Sequence, residues 1–308
     1  APPKRHPVGA DDLPATESTA RNSAFEKICI LLRSQTGHDF SLYKKSTVYR
    51  RIERRVGVHQ LAGIADYVRF LQSNPQEIDL LFKELLIGVT HFFRDPAAWA
   101  YLRSEILPAM IQQSTLGQQL RAWVAGCSSG EEAYTLAITF KEAVEQVKPK
   151  GRVELQIFAT DLDPDAIAKA RQGHYPASIA TDVSPERLER FFQADNGGFR
   201  ICKEIRQMVV FAPQNITMDP PFTKLDILTC RNLLIYLGPD LQKRLLPLFH
   251  YSLKPGGVLF LGSAESIGGF DQLFSPLESK ARLYLRKQAI LRPLDVDFPT
   301  RLLQHSLN

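Results

Sequence analysis

The last two thirds of the chain alternate short apolar runs with stretches whose apolar residues recur at helical spacing. The short runs are nearly continuous, as expected for strands that are covered on both faces of a sheet. Strands that alternate with helices predict an α/β fold built on a mostly parallel sheet. The predicted strands are residues 122–125, 155–160, 227–230, 258–261 and 281–286, and the predicted helices between them are residues 131–146, 165–171 and 241–253.

The first third of the chain shows the helical pattern alone. Amphipathic stripes that begin at Phe25, Ile64 and Leu80 predict a small all-α subdomain at residues 21–88. Residues 1–20 mix Pro, Ala, Asp and Thr without apolar periodicity, so we expect a linker there. Because the first residue is Ala rather than Met, we interpret the chain as a segment excised from a longer protein, with residues 288–308 as a C-terminal tail or linker.

A strongly basic helix is predicted at residues 44–56, which read KKSTVYRRIERRV. Val48, Ile52 and Val56 share one face of this helix, and positive charges cover the rest. A charge run of this kind is often only a solvated face, but clustered positive charge also steers and selects acidic partners. The net charge of only +5 and the lack of interleaved aromatic residues argue against nucleic acid. The candidate docking residues are Lys44, Lys45, Arg50, Arg51, Arg54 and Arg55.

Length and composition narrow the class of protein. At 308 residues with 44% hydrophobic content, the chain is long enough for one substantial α/β domain and a smaller attachment. No apolar run approaches the roughly 20 residues that cross a bilayer, and no signal peptide pattern opens the chain. The four cysteines form no CxxC pair, so neither a disulfide framework nor a metal site is predicted, and we expect a reducing cytoplasm.

The turn GCSSG at residues 126–130 lies between a predicted strand and a helix that opens on Glu131 and Glu132. Small residues let a ligand approach the main chain, but neither GxGxxG nor GK[ST] is present, and the two acids would repel a phosphate. They suit a sulfonium or an α-amino group, and S-adenosylmethionine carries both. An ordinary strand-turn-helix, with its acids placed for the helix dipole, would show the same pattern.

Two aspartates end the second predicted strand. Asp161 stands where a ribose presents its hydroxyls to the edge of a parallel sheet. Asp163 precedes Pro164 and is interpreted as the cap of the next helix, since Asp accepts hydrogen bonds from free amides and Pro suits the first helical position. We therefore expect Asp161 rather than Asp163 to contact a ligand.

The segment THFFR at residues 90–94 links the two predicted parts of the chain. The planar fork of Arg94 matches the carboxylate of an amino-acid ligand, and Thr90 adds a hydroxyl. Phe92 and Phe93 are also explained by packing that pins the two domains together. His91 is expected to be packed or exposed rather than catalytic.

Six segments in order resemble the chemotaxis receptor methyltransferase family, usually called CheR. The likeness runs from about Phe25 to Lys287. It implies a class I, Rossmann-like methyltransferase domain at residues 89–287, with a small antiparallel β-subdomain inserted at about residues 173–211, after an all-α N-terminal subdomain. The segments are THFFR (90–94), AGCSSGEEAY (125–134), ATDLD (159–163), QNI (214–216), CRNLLIY (230–236) and LKPGGVLFLGSAE (253–265).

The resemblance also implies an activity. Members transfer a methyl group from S-adenosyl-L-methionine to glutamates on the cytoplasmic helical bundle of chemoreceptors, leaving S-adenosyl-L-homocysteine and a glutamyl methyl ester. The basic helix would then meet the acidic receptor, and fused regulatory domains are possible in a longer protein. A catalytically inactive module that binds the cofactor and docks on a receptor is the alternative. A methyltransferase for RNA or a small molecule is not expected to keep both the basic helix and the β-insertion.

The residue roles implied by the resemblance follow its motifs. Tyr236 matches a tyrosine near the transferred methyl group and would orient the substrate carboxylate. Arg121 is a second catalytic candidate, as a holder of the incoming glutamate. Gly88 departs from the many relatives that have Asn at this position, which puts a polar contact there in doubt. The residues matching the cofactor site are Thr90, Arg94, Gly126, Cys127, Glu131, Asp161, Leu162, Asn215, Ile216, Asn232 and Leu233.

The predicted β-subdomain rests on a turn. Residues 192–194, 199–202 and 205–211 are interpreted as its strands, and Asp195-Asn196-Gly197-Gly198 separates the first two. Some family members use this subdomain to capture a peptide at the receptor's C-terminus. The turn here is short, which favours the members that need no such peptide.

Overall fold

The computed structural model describes residues 15–86, 88–114 and 117–288, with side chains from Thr19 onward. The chain divides into two compact units, Ala1–Ile87 and Gly88–Asn308. Residues 1–14 of the predicted linker and residues 289–308 of the predicted tail lie outside the described residues.

The first unit is all helical, and its helices pack around one apolar core. Phe25, Ile28, Phe40, Tyr67 and Leu81 are among its fully buried side chains. Its first helix begins inside the segment predicted as a linker, because residues 15–20 contain neither Gly nor Pro to stop a helix. The helices are α1 Ala15–Thr36, α2 Lys45–Val58, α3 Ile64–Ser73 and α4 Pro75–Leu85, with a 3-10 turn at Phe40–Leu42.

The second unit contains a seven-stranded sheet and a separate three-stranded one. Its strands are β1 Gln119–Ala125, β2 Glu154–Asp161, β3 His174–Pro176, β4 Phe192–Asp195, β5 Gly198–Ile201, β6 Val209–Pro213, β7 Leu225–Cys230, β8 Leu253–Leu261, β9 Phe274–Glu278 and β10 Leu283–Arg286. Its helices are α5 Pro96–Tyr101, α6 Leu107–Gln113, α7 Glu131–Val147, α8 Pro164–Gln172, α9 Pro185–Phe191, α10 Lys203–Arg206 and α11 Pro239–Ser252, with a π-helical turn at Leu102–Ile106 between α5 and α6.

The large sheet has the strand order β6-β2-β1-β7-β8-β10-β9. The first five strands are parallel, and β10 is antiparallel to both of its neighbours. The predicted α/β class is therefore confirmed, and the sheet closes with an antiparallel hairpin of β9 and β10. Residues 254–257, which separate the predicted helix 241–253 from the predicted strand 258–261, lie within β8, and the pairing of β8 with β7 shifts register between Leu225 and Ile227.

The small sheet has the order β3-β5-β4 and is antiparallel. Its hairpin turns at Asn196 and Gly197, which both have positive φ, as a two-residue turn requires. Residues 205–211 were expected in this sheet and are not part of it. Ile205 lies in α10. Strand β6 instead pairs parallel with β2 as the outermost strand of the large sheet, because this pairing buries the β6 residues Val209 and Phe211.

No helix within the described ranges is both long enough and apolar enough to cross a bilayer.

Candidate functional site

Three neighbouring parallel strands end at one edge of the large sheet. β1 leads into the turn at residues 126–130, β2 ends at Asp161, and β7 ends at Cys230, just before Asn232. The order β2-β1-β7 places these three segments side by side. Crevices at the carboxyl ends of parallel strands are where open α/β sheets bind their ligands.

The glycine turn depends on backbone conformations that favour glycine. Gly126 and Gly130 have φ of 74° and 96°, and the non-glycine Ser128 between them has φ of 48°. A Cβ on Gly126 would come within 3.1 Å of the Leu233 side chain, and one on Gly130 within 2.9 Å of Ala170. The turn is therefore closely packed as well as tightly bent, with no room for larger residues.

Backbone hydrogen bonds tie the turn to β2. The amides of Gly126 and Cys127 both donate to the Thr160 carbonyl, at 2.8 and 2.9 Å, and the Gly130 amide donates to the Cys127 carbonyl at 2.9 Å. The Cys127 thiol is buried, and burial raises its pKa well above the ordinary value. The Cys127 thiol is therefore a poor ligand, and the Cys127 amide is already bonded to the Thr160 carbonyl.

Asp161 holds the turn from the tip of β2. Its Oδ2 accepts from the Ser128 amide at 2.7 Å, and its Oδ1 accepts from the Asp163 amide at 2.9 Å. A carboxylate has about four acceptor positions, so these two bonds leave capacity for ligand hydroxyls. Burial raises the pKa of Asp161. Asp163 caps α8, as expected, by accepting from the Asp165 amide at 2.8 Å.

The two glutamates at the start of α7 have different surroundings. Glu132 accepts from the Thr229 hydroxyl at 2.6 Å and lies 3.6 Å from the Arg231 guanidinium. Glu131 accepts from the Ser129 hydroxyl, at 2.8 and 3.0 Å, and from its own backbone amide, and it forms no ion pair within the described part of the chain. Burial raises the pKa of both carboxyl groups. Glu132 is thus satisfied, whereas Glu131 has no cationic partner among the residues that the structure describes.

Arg231 fixes the Thr90–Arg94 segment, a role that the sequence did not reveal. Its side chain is 1% exposed and donates to the Arg94 carbonyl at 2.9 Å and to Asp95 Oδ2 at 2.7 Å. The guanidinium also stacks over Trp99 and Phe260. The partners lie 136 and 137 residues away along the chain, and the only signal in the sequence is an arginine directly after a buried strand.

The Thr90–Arg94 segment lies beside the glycine turn. A Cβ on Gly88 would be 3.2 Å from the Ser128 hydroxyl, and the Phe93 amide donates to Thr135 on α7 at 3.2 Å. Arg94 donates to the Val89 carbonyl at 3.2 Å, which curls the segment back on itself. Thr90 is half-buried, and His91 is exposed, as expected.

Phe92 and Phe93 are both buried in the core of the second unit. The Phe92 ring packs edge-on against Tyr175 and Phe192, and the Arg187 guanidinium lies 3.9 Å from the centre of the Phe93 ring. These contacts within the second unit account for the presence of two adjacent phenylalanines.

Asn215 and Ile216 follow β6 in a loop that is fastened to β2. The Gln214 amide donates to the Asp161 carbonyl at 2.9 Å. Asn215 Oδ1 accepts from the amide and the hydroxyl of Thr217, at 3.0 and 2.7 Å. The Asn215 side chain therefore shapes its own turn. Asn215, Ile216 and Leu162 are all half-buried at this edge of the sheet.

A buried glutamate organises the loop after β7. Glu265 is 4% exposed and accepts from the amides of Asn232, Gly262 and Ile235, at 2.9, 2.7 and 3.2 Å. Asn232 has φ of 61°, a conformation that costs energy unless its surroundings fix it. The loop ends in a 3-10 turn, Leu234–Tyr236, with Tyr236 half-buried. Glu265 stood in a quoted motif, but no role was predicted for it.

Arg121 is not part of this site, contrary to expectation. It lies on β1 four residues before Ala125, roughly 13 Å from the carboxyl edge at 3.3 Å per residue. Its amide donates to Asp226 Oδ2 at 2.8 Å, and its guanidinium lies over the Phe158 ring at 5.1 Å. Arg121 lies near the start of β1 and therefore toward the amino ends of the parallel strands, whereas the site lies at their carboxyl ends.

The residues at this edge fit S-adenosylmethionine. Glu131 and Asp161 are carboxylates without a cationic partner among the described residues, and they suit a ligand with positive charge and hydroxyl groups. Leu162, Ile216 and Leu233 add partly buried apolar surface. No cluster of metal-ligating side chains occurs in the described ranges.

Comparison with known proteins finds relatives that are named as methyltransferases. The chain is 32% identical over 248 residues to chemotaxis protein methyltransferase 2 of Vibrio cholerae, covering 78% of this chain and 84% of that protein. It is 28% identical over 272 residues to chemotaxis protein methyltransferase 1 of Pseudomonas aeruginosa, covering 87% and 99%. An uncharacterized 104.1 kDa protein of Rhodobacter capsulatus is 44% identical over 247 residues, covering 80% of this chain but only 26% of that protein.

Among solved structures, the DhpI–SAH complex covers 85% of both chains, with 12% identity and a TM-score of 0.34, which is too weak to support a conclusion. The all-alpha domain model of the CheR methyltransferases matches residues 23–86, and their SAM binding domain model matches residues 88–283. The chain therefore belongs to the CheR methyltransferase family, and its cofactor is S-adenosylmethionine.

Proposed function

We propose that the chain transfers a methyl group from S-adenosylmethionine to glutamate side chains on the cytoplasmic helical bundle of a chemoreceptor, forming glutamyl methyl esters. The observation that carries the proposal is the pair of carboxylates, Glu131 and Asp161, that lack a cationic partner among the described residues. They lie at the sheet edge where the loop bearing Tyr236 also begins. The relatives named as chemotaxis protein methyltransferases support the choice of a receptor as substrate.

Each part of the cofactor has a matching group at this edge. Glu131 suits the positively charged amino group, and Arg94 with Thr90 suits the carboxylate of the methionine end. Asp161 has free acceptor positions for ribose hydroxyls. The remaining proposed contacts are the backbone of Gly126 and Cys127, the loop residues Asn232 and Leu233, and Leu162, Asn215 and Ile216 around the adenine.

The reaction asks for placement rather than for a base. When bound, S-adenosylmethionine supplies a methyl group on a positively charged sulfur, and transfer to a carboxylate oxygen forms the C–O bond as the C–S bond breaks, with no proton to move. A glutamate with an ordinary pKa near 4.3 is already ionised at pH 7. Alignment of two reactants can lower a barrier by about 7 to 11 kcal/mol. The protein's task is therefore to align the glutamate and exclude water.

Tyr236 is the proposed orienting residue for the substrate. Its hydroxyl makes no hydrogen bond with other described residues, so it is free to donate to a carboxylate oxygen. Arg231 cannot compete for the substrate, because Asp95 and the Arg94 carbonyl already engage its buried guanidinium. A neutral donor such as Tyr236 leaves the attacking oxygen more nucleophilic than a tight ion pair with arginine would.

The product identifies the reaction. The purified chain is incubated with methyl-tritiated S-adenosylmethionine and a chemoreceptor cytoplasmic fragment, and the labelled fragment is then treated with alkali. We expect label on the fragment that alkali releases as volatile methanol, because carboxylate esters hydrolyse whereas N-methyl groups do not. A fragment whose candidate glutamates are replaced by glutamine is the control, and we expect it to stay unlabelled.

Two results would contradict the proposal. Label that survives alkali would indicate a different acceptor group. Cofactor binding without any label on the fragment would favour the alternative of an inactive receptor-docking module.

A further inference from the structure

We infer that Tyr175, on the small antiparallel sheet, is a positioning residue for the cofactor, because it joins the glycine turn to the Thr90–Arg94 segment. The inference rests on the proposed cofactor site described above. It makes the small sheet a structural part of that site, and it assigns the sheet a role that does not depend on capture of a receptor peptide.

Tyr175 touches both segments with one buried side chain. Its hydroxyl donates to the Ser129 carbonyl at 2.8 Å. Its ring packs edge-on against Phe92, with 4.9 Å between ring centres and 80° between ring planes. The residue is 4% exposed. Burial also raises the pKa of Tyr175 well above its ordinary value.

The Ser129 carbonyl, which accepts the hydrogen bond from Tyr175, belongs to the most tightly bent part of the glycine turn. Ser129 stands between Ser128 and Gly130, which have φ of 48° and 96°. The Ser129 hydroxyl donates to Glu131, which forms no ion pair with any described residue. A shift of the Ser129 peptide would therefore move Glu131 and the Ser128 amide that Asp161 binds. The hydrogen bond from Tyr175 opposes such a shift.

The small sheet sets the position of Tyr175. Tyr175 pairs with Phe199 in the register of β3 and β5. A Cβ on Gly198 would overlap the Tyr175 carbonyl oxygen, so the two strands can approach this closely only because residue 198 is glycine. Phe192 of β4 packs edge-on against Phe92 as well. The sheet thus contacts the Thr90–Arg94 segment from two of its strands.

Salt bridges add to the attachment of the small sheet. Arg187 on α9 forms two bonds with Glu142 on α7, at 2.7 and 2.9 Å, and Arg190 bonds Glu145 at 2.6 Å. These contacts fix α9, which leads directly into β4, against the helix that begins at Glu131. These ion pairs therefore connect the small sheet to the helix that follows the glycine turn.

The chain offers a matched control for Tyr175. Tyr134 is 1% exposed, and its hydroxyl donates to the Ala170 carbonyl at the same distance of 2.8 Å. That bond ties α7 to α8 and uses no backbone group of the turn. Tyr175→Phe and Tyr134→Phe each keep the ring and remove one buried hydroxyl-to-carbonyl bond, so their costs in stability should be similar.

The test is titration calorimetry of the full chain with S-adenosylhomocysteine, together with methyl-transfer kinetics on a receptor fragment. We expect Tyr175→Phe to raise the Kd for S-adenosylhomocysteine and the KM for S-adenosylmethionine by about three- to tenfold, the usual effect of one lost hydrogen bond. The kcat at saturating cofactor should stay within about twofold of wild type. Tyr134→Phe should leave both constants unchanged.

The titration stoichiometry separates positioning from mere loss of folded protein, because misfolded chains lower the stoichiometry without changing the Kd. Equal effects of the two variants on the Kd, or an unchanged Kd for Tyr175→Phe, would overturn the inference. A wild-type chain that binds no S-adenosylhomocysteine would instead overturn the proposed cofactor site.

Discussion

The acidic residues of the site differ in what the protein does with them. Glu132 and Glu265 are satisfied by a threonine, an arginine and three backbone amides, whereas Glu131 and Asp161 have only neutral partners among the described residues. The sequence analysis could assign Glu131 and Asp161 to the site because Glu131 directly follows the glycine turn and Asp161 directly follows a predicted strand. It could not assign Glu132 or Glu265, because Thr229 lies 97 residues from Glu132 and Asn232 lies 33 residues from Glu265.

A buried histidine in the helical unit makes that unit sensitive to acid. His38 is 2% exposed, and its Nε2 lies 2.9 Å from the Tyr43 hydroxyl. Burial lowers the pKa of His38 from 6.5 to about 4, although the nearby Asp39 acts in the opposite direction. Between these pH values the unfolded chain binds a proton that the folded chain does not, so stability falls as pH falls from 6.5 toward 4.

We therefore predict that the helical unit loses up to about 3 kcal/mol of unfolding free energy between pH 6.5 and pH 4, at about 1.4 kcal/mol per pKa unit. His38→Gln keeps a group that can bond Tyr43 but cannot titrate, and its loss over the same range should be smaller. Native-state hydrogen exchange of amides in α1 measures this unit separately. An identical pH dependence in both proteins would contradict the prediction.

At the scale of elements, helix α2 is less basic on its surface than its sequence suggests. Arg55 is bonded to the buried Glu77 at 2.8 and 2.6 Å, and Arg51 and Arg54 pair with Glu84 at 3.4 and 2.8 Å. Arg54 remains 64% exposed despite its pair, whereas the Arg55 side chain is 16% exposed. The accessible positive charges are therefore Lys44, Lys45, Arg50 and Arg54.

The difference between exposed and buried arginines on α2 predicts different effects for two sets of substitutions. The double change Arg50→Ala and Arg54→Ala should raise the KM for a receptor fragment by roughly three- to tenfold, more at low salt than at high salt, and leave cofactor affinity unchanged. Arg55→Ala should instead lower the unfolding free energy by about 3 kcal/mol, because it leaves the buried Glu77 with only the Tyr67 hydroxyl and the His59 ring as partners. Steady-state kinetics and denaturant unfolding separate the two effects.

A double variant with wild-type KM for the receptor fragment would show that α2 does not contact the substrate. The structure explains why the sequence overstated this surface. Glu77 and Glu84 lie 22 and 30 residues from the arginines that they bind most closely. The helical period predicts which residues share a face of α2, but it does not predict which distant side chains pack against that face.

Strand prediction succeeded where local signals were sufficient. The hairpin of β4 and β5 followed from Asn196-Gly197, and the buried strands β1 and β2 followed from continuous apolar runs. The assignment of residues 205–211 to the small sheet was wrong, because an apolar run does not reveal which sheet it joins. β6 pairs with β2, and that choice depends on the whole sheet.

At the scale of the whole molecule, six short motifs were enough to identify the family, and the family models cover both units. The motifs did not reveal how the parts are connected. Tyr175, Arg231 and Glu265 link segments that are far apart in the chain, and each does so through backbone groups that carry no sequence signal. The chain also spans only 26% of its 104.1 kDa relative, so its activity within a longer protein remains part of the proposal.

The central claim is that the carboxyl edge of the large sheet binds the cofactor, and a pair of aspartates tests it. Asp161 ends β2 at that edge. Asp226 lies near the start of β7, where it accepts from the Arg121 amide at 2.8 Å and from Lys254 at 2.9 Å. Both carboxylates accept a backbone amide, so replacement by asparagine removes the same charge at opposite edges of the sheet.

The measurement is titration calorimetry of S-adenosylhomocysteine into the wild type, Asp161→Asn and Asp226→Asn. We predict that the wild type binds S-adenosylhomocysteine at one site. Binding should be weakened by roughly tenfold or more in Asp161→Asn, because a hydrogen bond to a charged group is worth about 1.5 to 3 kcal/mol. The affinity of Asp226→Asn should be unchanged. No binding to the wild type, or equal weakening in the two variants, would contradict the account.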